Sequence, residues 1–454
     1  MIFYFHPINV KHMKKLIVIF DLILPLFLFA QEDLIQNGPM VGHVSAREAH
    51  IWVQTTEACE VSIIYWDNKF LEDTFYSTPD VTHYEDAFTT TILLDQIRPG
   101  RTYNYGVLIN NTHIKLDQIC QFNSPPISPK GDELPEFKLA FGSCNYINDS
   151  TTDVEVKGGD YHIFESIAKE HPDMMLWLGD NIYLRPGEWD SNTGFAYRYT
   201  HSRNVPEMKE LLSSVIHYAT WDDHDYGPND SDRSYIHKDI AREWFMKFWA
   251  NPSYGLTGYG LPELTGITTA FTWGDVDFFL LDNRYFRSPQ KRETGDKTVL
   301  GKAQMHWLID ALAFSEANVK VVVLGSLFLS NMSHFKNQNY VSNYREERAY
   351  LLSKIEEENL QNILFLTGDK HFSEISHFVN AKRNSVYEFT ASPLTASANT
   401  REDQNTYRLN GSLIQARNFG LIEFRGKTLE EREIVMKIMN AEGEELYKYI
   451  MRLQ

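Results

Sequence analysis

The chain has 454 residues, 43% of them hydrophobic and 13% aromatic, which is enough apolar side chain for about two or three packed domains and too much for a disordered chain. Its 61 Asp and Glu outnumber 43 Lys and Arg, for a formal net charge of −18, and no Lys/Arg stripe interrupts that excess. Such a field repels phosphate backbones and argues against a nucleic-acid partner.

Lys14 and Lys15 precede an apolar stretch over 16–29, broken by Asp21, and Ala30 offers a small residue for cleavage. This is the pattern of a secretory signal peptide over residues 1–30. The stretch is short for a membrane span and Asp21 would be costly in lipid. The expectation is a periplasmic or secreted protein with no stable membrane insertion after the signal is removed. Losing Lys11, Lys14, Lys15 and Asp21 makes the remainder two units more negative. Bound cations would offset that locally, since a metal is often the largest charge in its site.

Over residues 31–123 the pattern is all β, with alternating stretches such as 49–55, 61–65 and 102–108 separated by polar turns and by Pro99-Gly100. Several short strands at this spacing predict a small fibronectin- or immunoglobulin-like sandwich. Residues 124–135, with Pro125, Pro126, Pro129 and Pro135, read as a linker to a catalytic domain over 136–454. In an oxidising compartment Cys59 and Cys120 are candidates to pair, leaving Cys144 single.

From residue 136 strands alternate with helices, which predicts an α/β fold. Met305, Leu308, Ile309 and Leu312 keep helical spacing before the apolar run 319–324, and a helix over about 345–358 precedes 363–366. Strand patterns return at 386–390, 419–424, 433–439 and 445–451, as if a second sheet closes on the first.

The chemistry sits where apolar runs end. Ser143-Cys144-Asn145 follows 137–142, Gly179-Asp180-Asn181-Ile182-Tyr183 follows 174–178, Trp221-Asp222-Asp223-His224-Asp225 follows 215–220, and Gly368-Asp369-Lys370-His371 follows 362–367. In an open α/β sheet such loops share one edge, so the clusters are expected to converge. Singly, Asp180 reads as a helix cap, Tyr183 as a core aromatic, Cys144 as a small buried residue and 222–225 as a charged turn. Together, thiolate, phenolate, carboxylate and imidazole favour a hard, highly charged cation such as ferric iron, and spacing alone leaves zinc or another divalent ion open. His224, with an ordinary pKa near 6.5, suits protonation of a leaving oxygen. Arg284, after the run 276–281, is placed either to grip a phosphate with its guanidinium fork or to pair with Asp282.

In this order and spacing, after a β-rich leader, FGSCN, GDNIY, WDDHD, LDNRYFR and GDKH resemble the PhoD-type alkaline phosphatases and phosphodiesterases of the metallophosphoesterase superfamily. The resemblance covers about residues 38–454. It implies a four-layer α/β/β/α catalytic domain in which Cys144, Asp180 and Tyr183 hold ferric iron. Asp223, Asp369 and His371 would complete the cluster with calcium, and Asp180 or Asp223 would bridge. It also implies phosphate binding by Arg284 and a catalytic role for His224. Purple acid phosphatases share GDxxY and a fibronectin-like leader. They have Asp where this chain has Cys144 and GHxH where it has GDKH, and their VxxH is missing unless His334 supplies it.

The expected reaction is hydrolysis of a small phosphorylated substrate, a mono- or diester, by metal-activated water. The alternatives are a metal-dependent carboxylic ester or lactone hydrolase, or a non-catalytic surface protein whose sandwich binds a glycan. Segments 188–200 and 253–265, rich in Gly and aromatics, are expected to be rim loops.

Overall fold

The computed structural model describes residues 34–453 except 71, 128–132, 333–339 and 402–403. The expected signal segment, His334 and the middle of the expected linker therefore lie outside the described residues.

Two mixed sheets form the centre. One has nine strands, in the order Glu445–Arg452, Glu433–Asn440, Asn418–Arg425, Phe137–Gly142, Met174–Leu178, Ile216–Thr220, Ile35–Val44, Ala49–Thr55 and Thr89–Leu94. The other has six, in the order Thr269–Trp273, Val276–Leu280, Val319–Val323, Ile363–Thr367, Ser385–Thr390 and Glu374–Val379. Phe137–Gly142, Met174–Leu178 and Ile216–Thr220 run parallel, as do Val276–Leu280, Val319–Val323, Ile363–Thr367 and Ser385–Thr390. Strands such as MMLWL and ILFLT are buried at every position because parallel sheets are covered on both faces.

Side-chain alternation divides these strands between two interfaces. Leu139, Phe141, Leu176, Leu178 and Tyr218 face Phe278, Leu280, Val321, Val323, Leu364 and Leu366 in one core shared by the sheets. On the opposite face of the larger sheet, Ala140, Met175, Trp177 and Ala219 pack with Phe164, Phe195, Leu211 and Phe245 from the helices Ile163–Lys169, Asn192–Arg203, Lys209–Ser214 and Lys238–Phe248. Phe279, Val322 and Phe365, on the outer face of the smaller sheet, pack with Met305, Leu308, Leu351 and Ile355 of Gly301–Phe314 and Arg345–Glu357. The expected helices at 305–312 and 345–358 are these two. Among the described residues no helix is long and apolar enough to cross a membrane.

The N-terminal region departs from a self-contained sandwich. Glu60–Asp67 and Thr102–Ile109 form a separate sheet packed on Ala49–Thr55 and Thr89–Leu94, as expected of a sandwich. Its other layer, however, is the end of the nine-stranded sheet, because Ile35–Val44 pairs in parallel with Ile216–Thr220, Val41 facing Ile216. Trp52 Nε1 also donates to the Lys247 carbonyl at 2.8 Å. The C-terminal strands split as well: Ser385–Thr390 joins the smaller sheet, whereas the last three strands extend the larger one. Cys59 and Cys120 are free thiols and do not pair.

Because the leader completes the larger sheet, residues 136–454 alone would expose the backbone edge of Ile216–Thr220 and the apolar faces that Ile35–Val44 covers. That fragment is expected to aggregate or to melt well below the full chain in gel filtration and circular dichroism. A monomeric fragment with the full-length melting temperature would contradict this.

Candidate metal centre

The registers Leu178 to Thr220, Leu280 to Val323 and Val323 to Leu366 align the carboxyl ends of the parallel strands. The ends of the two sheets are joined by Thr220 Oγ1, which donates to the Leu281 carbonyl at 2.7 Å. Backbone compression brings the loops closer still. Gly179 has φ +90°, and a Cβ there would meet Asp222 at 2.6 Å. A Cβ at Gly368 would lie 2.4 Å from Ser143 Oγ. Cys144, Asp180, Asp369 and His371 all have φ between 50° and 72°. For non-glycine residues that left-handed conformation costs about 1–3 kcal/mol each, and such strain gathers at functional sites.

These turns bring all six expected metal-binding residues to one centre. Ligand atoms of Cys144, Asp180 and His371 lie within 4.8 Å of one another, as do those of Asp180, Asp223 and His224, and those of Asp222, Asp223 and Asp369. Cys144 Sγ donates to Asp180 Oδ2 at 3.5 Å, and the Tyr183 hydroxyl lies 3.2 Å from both Asp180 Oδ2 and His371 Nε2. His371 Nδ1 faces the Ser397 carbonyl at 2.6 Å, an acceptor that places the ring proton there and turns Nε2 to the cluster. The cluster opens into a cavity of about 760 Å³, whose walls include His224, Asn229, Tyr146, Leu184, Val154 and Trp189.

Burial and mutual repulsion set the charges. Burial, then Asp223 and Cys144, pushes the Asp180 carboxyl well above its ordinary range. Burial pushes the Cys144 thiol up to about 11 against hydrogen bonds from Ser392 and Ser143. Asp369 is pushed up to about 6 by burial, with Lys370 opposing. Asp223 goes the other way: burial raises it, but Arg284, His224 and the Asp230 amide outweigh that and hold it below the usual carboxylate range. Burial lowers both His224 and His371. A thiol, a phenol, two imidazoles and four acids gathered at this spacing suit cations, which would replace protons and screen the repulsion.

Arg284 is not where a phosphate grip requires it. It is fully buried, its Nε pairs with Asp222 Oδ1, its Nη2 lies 3.5 Å from Asp223 Oδ1, and it does not line the cavity. Asp282 is not its side-chain partner either; that carboxylate accepts from Trp221 Nε1 at 2.8 Å and from the backbone amides of Arg284 and Tyr285. Of the expected rim loops, 188–200 is largely the helix Asn192–Arg203, capped by Ser191, and contributes Trp189 to the wall. Segment 253–265 forms the hairpin of Leu256–Gly258 and Leu261–Thr265, away from this cavity.

Several participants escape a reading by local motif. Asp222 is signalled only by its place in WDDHD, and its Oδ2 has no hydrogen-bond partner among the described residues. Ser392 donates to Cys144 Sγ at 3.2 Å from 248 residues away, with no local signature. Asp225 accepts from the amides of Asn181 and Asp222 and so ties two ligand loops together. Behind Tyr183, the Tyr146 ring is 4.9 Å away and carries the Arg185 guanidinium 4.2 Å above it. Arg185 pairs with Asp153 at 2.9 Å, while the fully buried Arg198 bridges Asp149 and Glu188 at 3.0 and 2.5 Å.

A family model described as PhoD-like phosphatase matches residues 139–430, and a model described as a domain of unknown function, DUF7800, matches 32–127. The chain belongs to the PhoD-like phosphatase family. It is 23% identical over 360 residues to alkaline phosphatase D of Bacillus subtilis (strain 168), which is 69% of this chain and 59% of that protein. This chain thus spans about three-fifths of that relative's length. A solved structure of PhoD matches with a TM-score of 0.72 at 18% identity, covering 91% of this chain and 88% of that one, so the fold is shared nearly end to end.

For this PhoD-like chain, metal uptake should expel the protons that burial holds on Cys144 and Asp180. Rebinding of metal by chelator-treated protein near neutral pH is expected to release about one or two protons per chain, with affinity falling as pH drops. Calorimetry in buffers of different ionisation enthalpy measures this, and proton-neutral, pH-independent binding would contradict it. Cys144→Ser is expected to lose bound metal by elemental analysis while still melting cooperatively. A full metal complement in that variant would leave the thiol a packing role only.

Proposed function

We propose that this protein hydrolyses phosphate esters, mono- or diesters, outside the cytoplasm, on a helix–sheet–sheet–helix metallophosphoesterase plan. The observation that carries the reading is the convergence of Cys144, Asp180, Tyr183, Asp223, Asp369 and His371 on one cavity in a PhoD-like chain. Cys144, Asp180, Tyr183 and His371 would hold ferric iron. Asp223 and Asp369, with Asp222, form an all-oxygen group suited to calcium, and Asp180 or Asp223 lies between the two sets. His371 thus goes with the thiol rather than with the carboxylates. Bound ions would supply Lewis acidity toward phosphoryl oxygens and lower the pKa of an attacking water.

The chain's own residues do the rest. Arg284 holds Asp222 in place and keeps Asp223 ionised, acting through them rather than on the substrate. His224 sits at the cavity wall with its ring 4.3 Å from Tyr183 and its backbone amide 3.2 Å from Asp180 Oδ1. From there it protonates the leaving oxygen. Tyr146, Leu184 and Trp189 exclude bulk water from the cavity's inner wall.

With attack by water and no protein nucleophile, a single turnover in ¹⁸O-water is expected to place the label in phosphate and to trap no phosphoenzyme. A covalent aspartyl or seryl phosphate would overturn the scheme. A panel of aryl phosphate monoester, aryl phosphate diester and aryl acetate is expected to be turned over at the phosphate esters.

If His224 is the general acid, His224→Ala should lose roughly 10²–10⁴-fold on alkyl phosphates, whose leaving oxygen needs a proton. It should lose far less on p-nitrophenyl substrates. Equal losses on both would assign His224 to holding the cluster instead.

A further inference from the structure

A second cavity, of about 720 Å³, has the opposite electrostatic character to the rest of the molecule. Its lining contains four cations, Arg233, Lys238, Arg292 and Lys302, and no carboxylate, in a chain where acids outnumber bases 61 to 43. Tyr285 and Phe286 supply an aromatic wall. Lys238 is spoken for, its Nζ lying 4.4 Å over the Tyr285 ring and donating to the Arg233 carbonyl at 3.3 Å. The guanidinium groups of Arg233 and Arg292 have no hydrogen-bond or ion-pair partner among the described residues. Carboxylates flank the cavity, Glu347 among them, which accepts from the Gly301 amide at 3.2 Å. Asp296 pairs with Lys302 at 2.7 Å, both being exposed, and Asp239 accepts from the Tyr285 hydroxyl at 2.6 Å. Asp296 alone is shared by Lys302, Arg292 and Arg233, whose combined field lowers its pKa. Like charges do not gather in this way without cost, and an anionic ligand with several charges relieves it.

The cavity is also wired to the metal centre. The segment between them donates the Asp230 amide to Asp223 Oδ2 at 2.8 Å, accepts from Arg284 Nη1 at the Ser231 carbonyl at 3.3 Å, and donates the Arg233 amide to Arg287 at 2.9 Å. Asn229 lines the metal-centre cavity and Arg233 and Ser234 line the basic one, so one stretch of chain presents a face to each. We infer that the basic cavity binds a phosphate group beyond the one that is cleaved. The preferred substrates of this chain would then be multiply phosphorylated molecules, with apolar or aromatic atoms between phosphates resting on Tyr285 and Phe286. Two free guanidinium forks favour phosphate over a point anion, since each can take two oxygens at once. The strongly acidic chain around it favours a small polyanion over a nucleic-acid duplex. The subsite role rests on the phosphoesterase reading above; the anion site itself does not.

The test is calorimetric titration of the full chain with inorganic tripolyphosphate at low ionic strength. Wild type is expected to bind it, and Arg233→Ala/Arg292→Ala to bind about ten-fold more weakly or worse, as loss of charge-assisted hydrogen bonds implies. Lys302→Glu, on an exposed side chain, should weaken it independently. Asp223→Asn, at the metal centre, should keep it. In turnover, the double variant should lose more kcat/KM on a bisphosphorylated substrate than on an aryl monophosphate. Wild-type affinity in the double variant, or binding lost in Asp223→Asn and kept in the double variant, would overturn the inference. A chain that binds tripolyphosphate here yet cleaves no phosphate ester would overturn the preceding functional reading and leave the anion site standing.

Discussion

The ion pair between the buried Arg284 guanidinium and Asp222, with Asp223 alongside, is the interaction on which the metal centre depends. Four carboxylates meet at this centre, and Arg284 and Lys370 are the cations paired with them. Removing one partner of a buried pair leaves an uncompensated charge, which typically costs about 3–5 kcal/mol. Arg284 therefore serves the arrangement before it serves any substrate. Two cations do not neutralise four acids, and the shortfall appears in Asp180 and Cys144, whose protons are held by burial and by the neighbouring acids, Asp223 beside Asp180 and Asp369 beside Cys144. The protein is built with a deficit of positive charge at the place where metal ions would supply it.

The backbone bears the same imprint. Four candidate ligand residues adopt left-handed φ just past parallel strands, at about 1–3 kcal/mol apiece. That strain is tolerable because the strands leading into it are buried on both faces and locked in register by two cores. The stiffness of the sheets is converted into precision at their ends. The Arg185 and Arg198 ion pairs extend it outward, fixing segment 149–153 against helix Asn192–Arg203, so that the cavity wall behind Tyr183 does not depend on loop packing alone.

Much of this was legible in the chain because strand ends in an α/β fold share an edge. Apolar runs ending in Cys144, Asp180, Asp223 and Asp369 announce both the strands and the meeting of their tails. What periodicity does not encode is which sheet a strand joins. Ile35–Val44 has a β pattern in any sandwich, but its parallel neighbour begins at Ile216, and only tertiary pairing makes the leader part of the larger sheet. Direction of a side chain is equally hidden. Arg284 stands at a strand end, as a phosphate-binding arginine would, yet the two consecutive acids of WDDHD draw its guanidinium beneath the cluster. The neighbours of a side chain are hidden for a related reason: His371 is two residues from Asp369, but with a left-handed φ at both, His371 lies with Cys144 and Asp180 while Asp369 lies with Asp222 and Asp223.

The basic cavity shows the limit of composition most clearly. Arg233, Lys238, Arg292 and Lys302 are spread over 70 residues and form no stripe, so a net charge of −18 conceals them. The fold brings them together through the stretches that hold the metal centre from behind, at Asp230, Ser231 and the residues after Arg284. Strand ends supply the chemistry, which leaves little room to vary, whereas the segments behind them are free to differ in charge and shape. Selectivity among phosphorylated molecules is therefore better placed in that second layer of loops than in the ligands themselves. A change there alters what is bound without disturbing the balance of charge around Arg284.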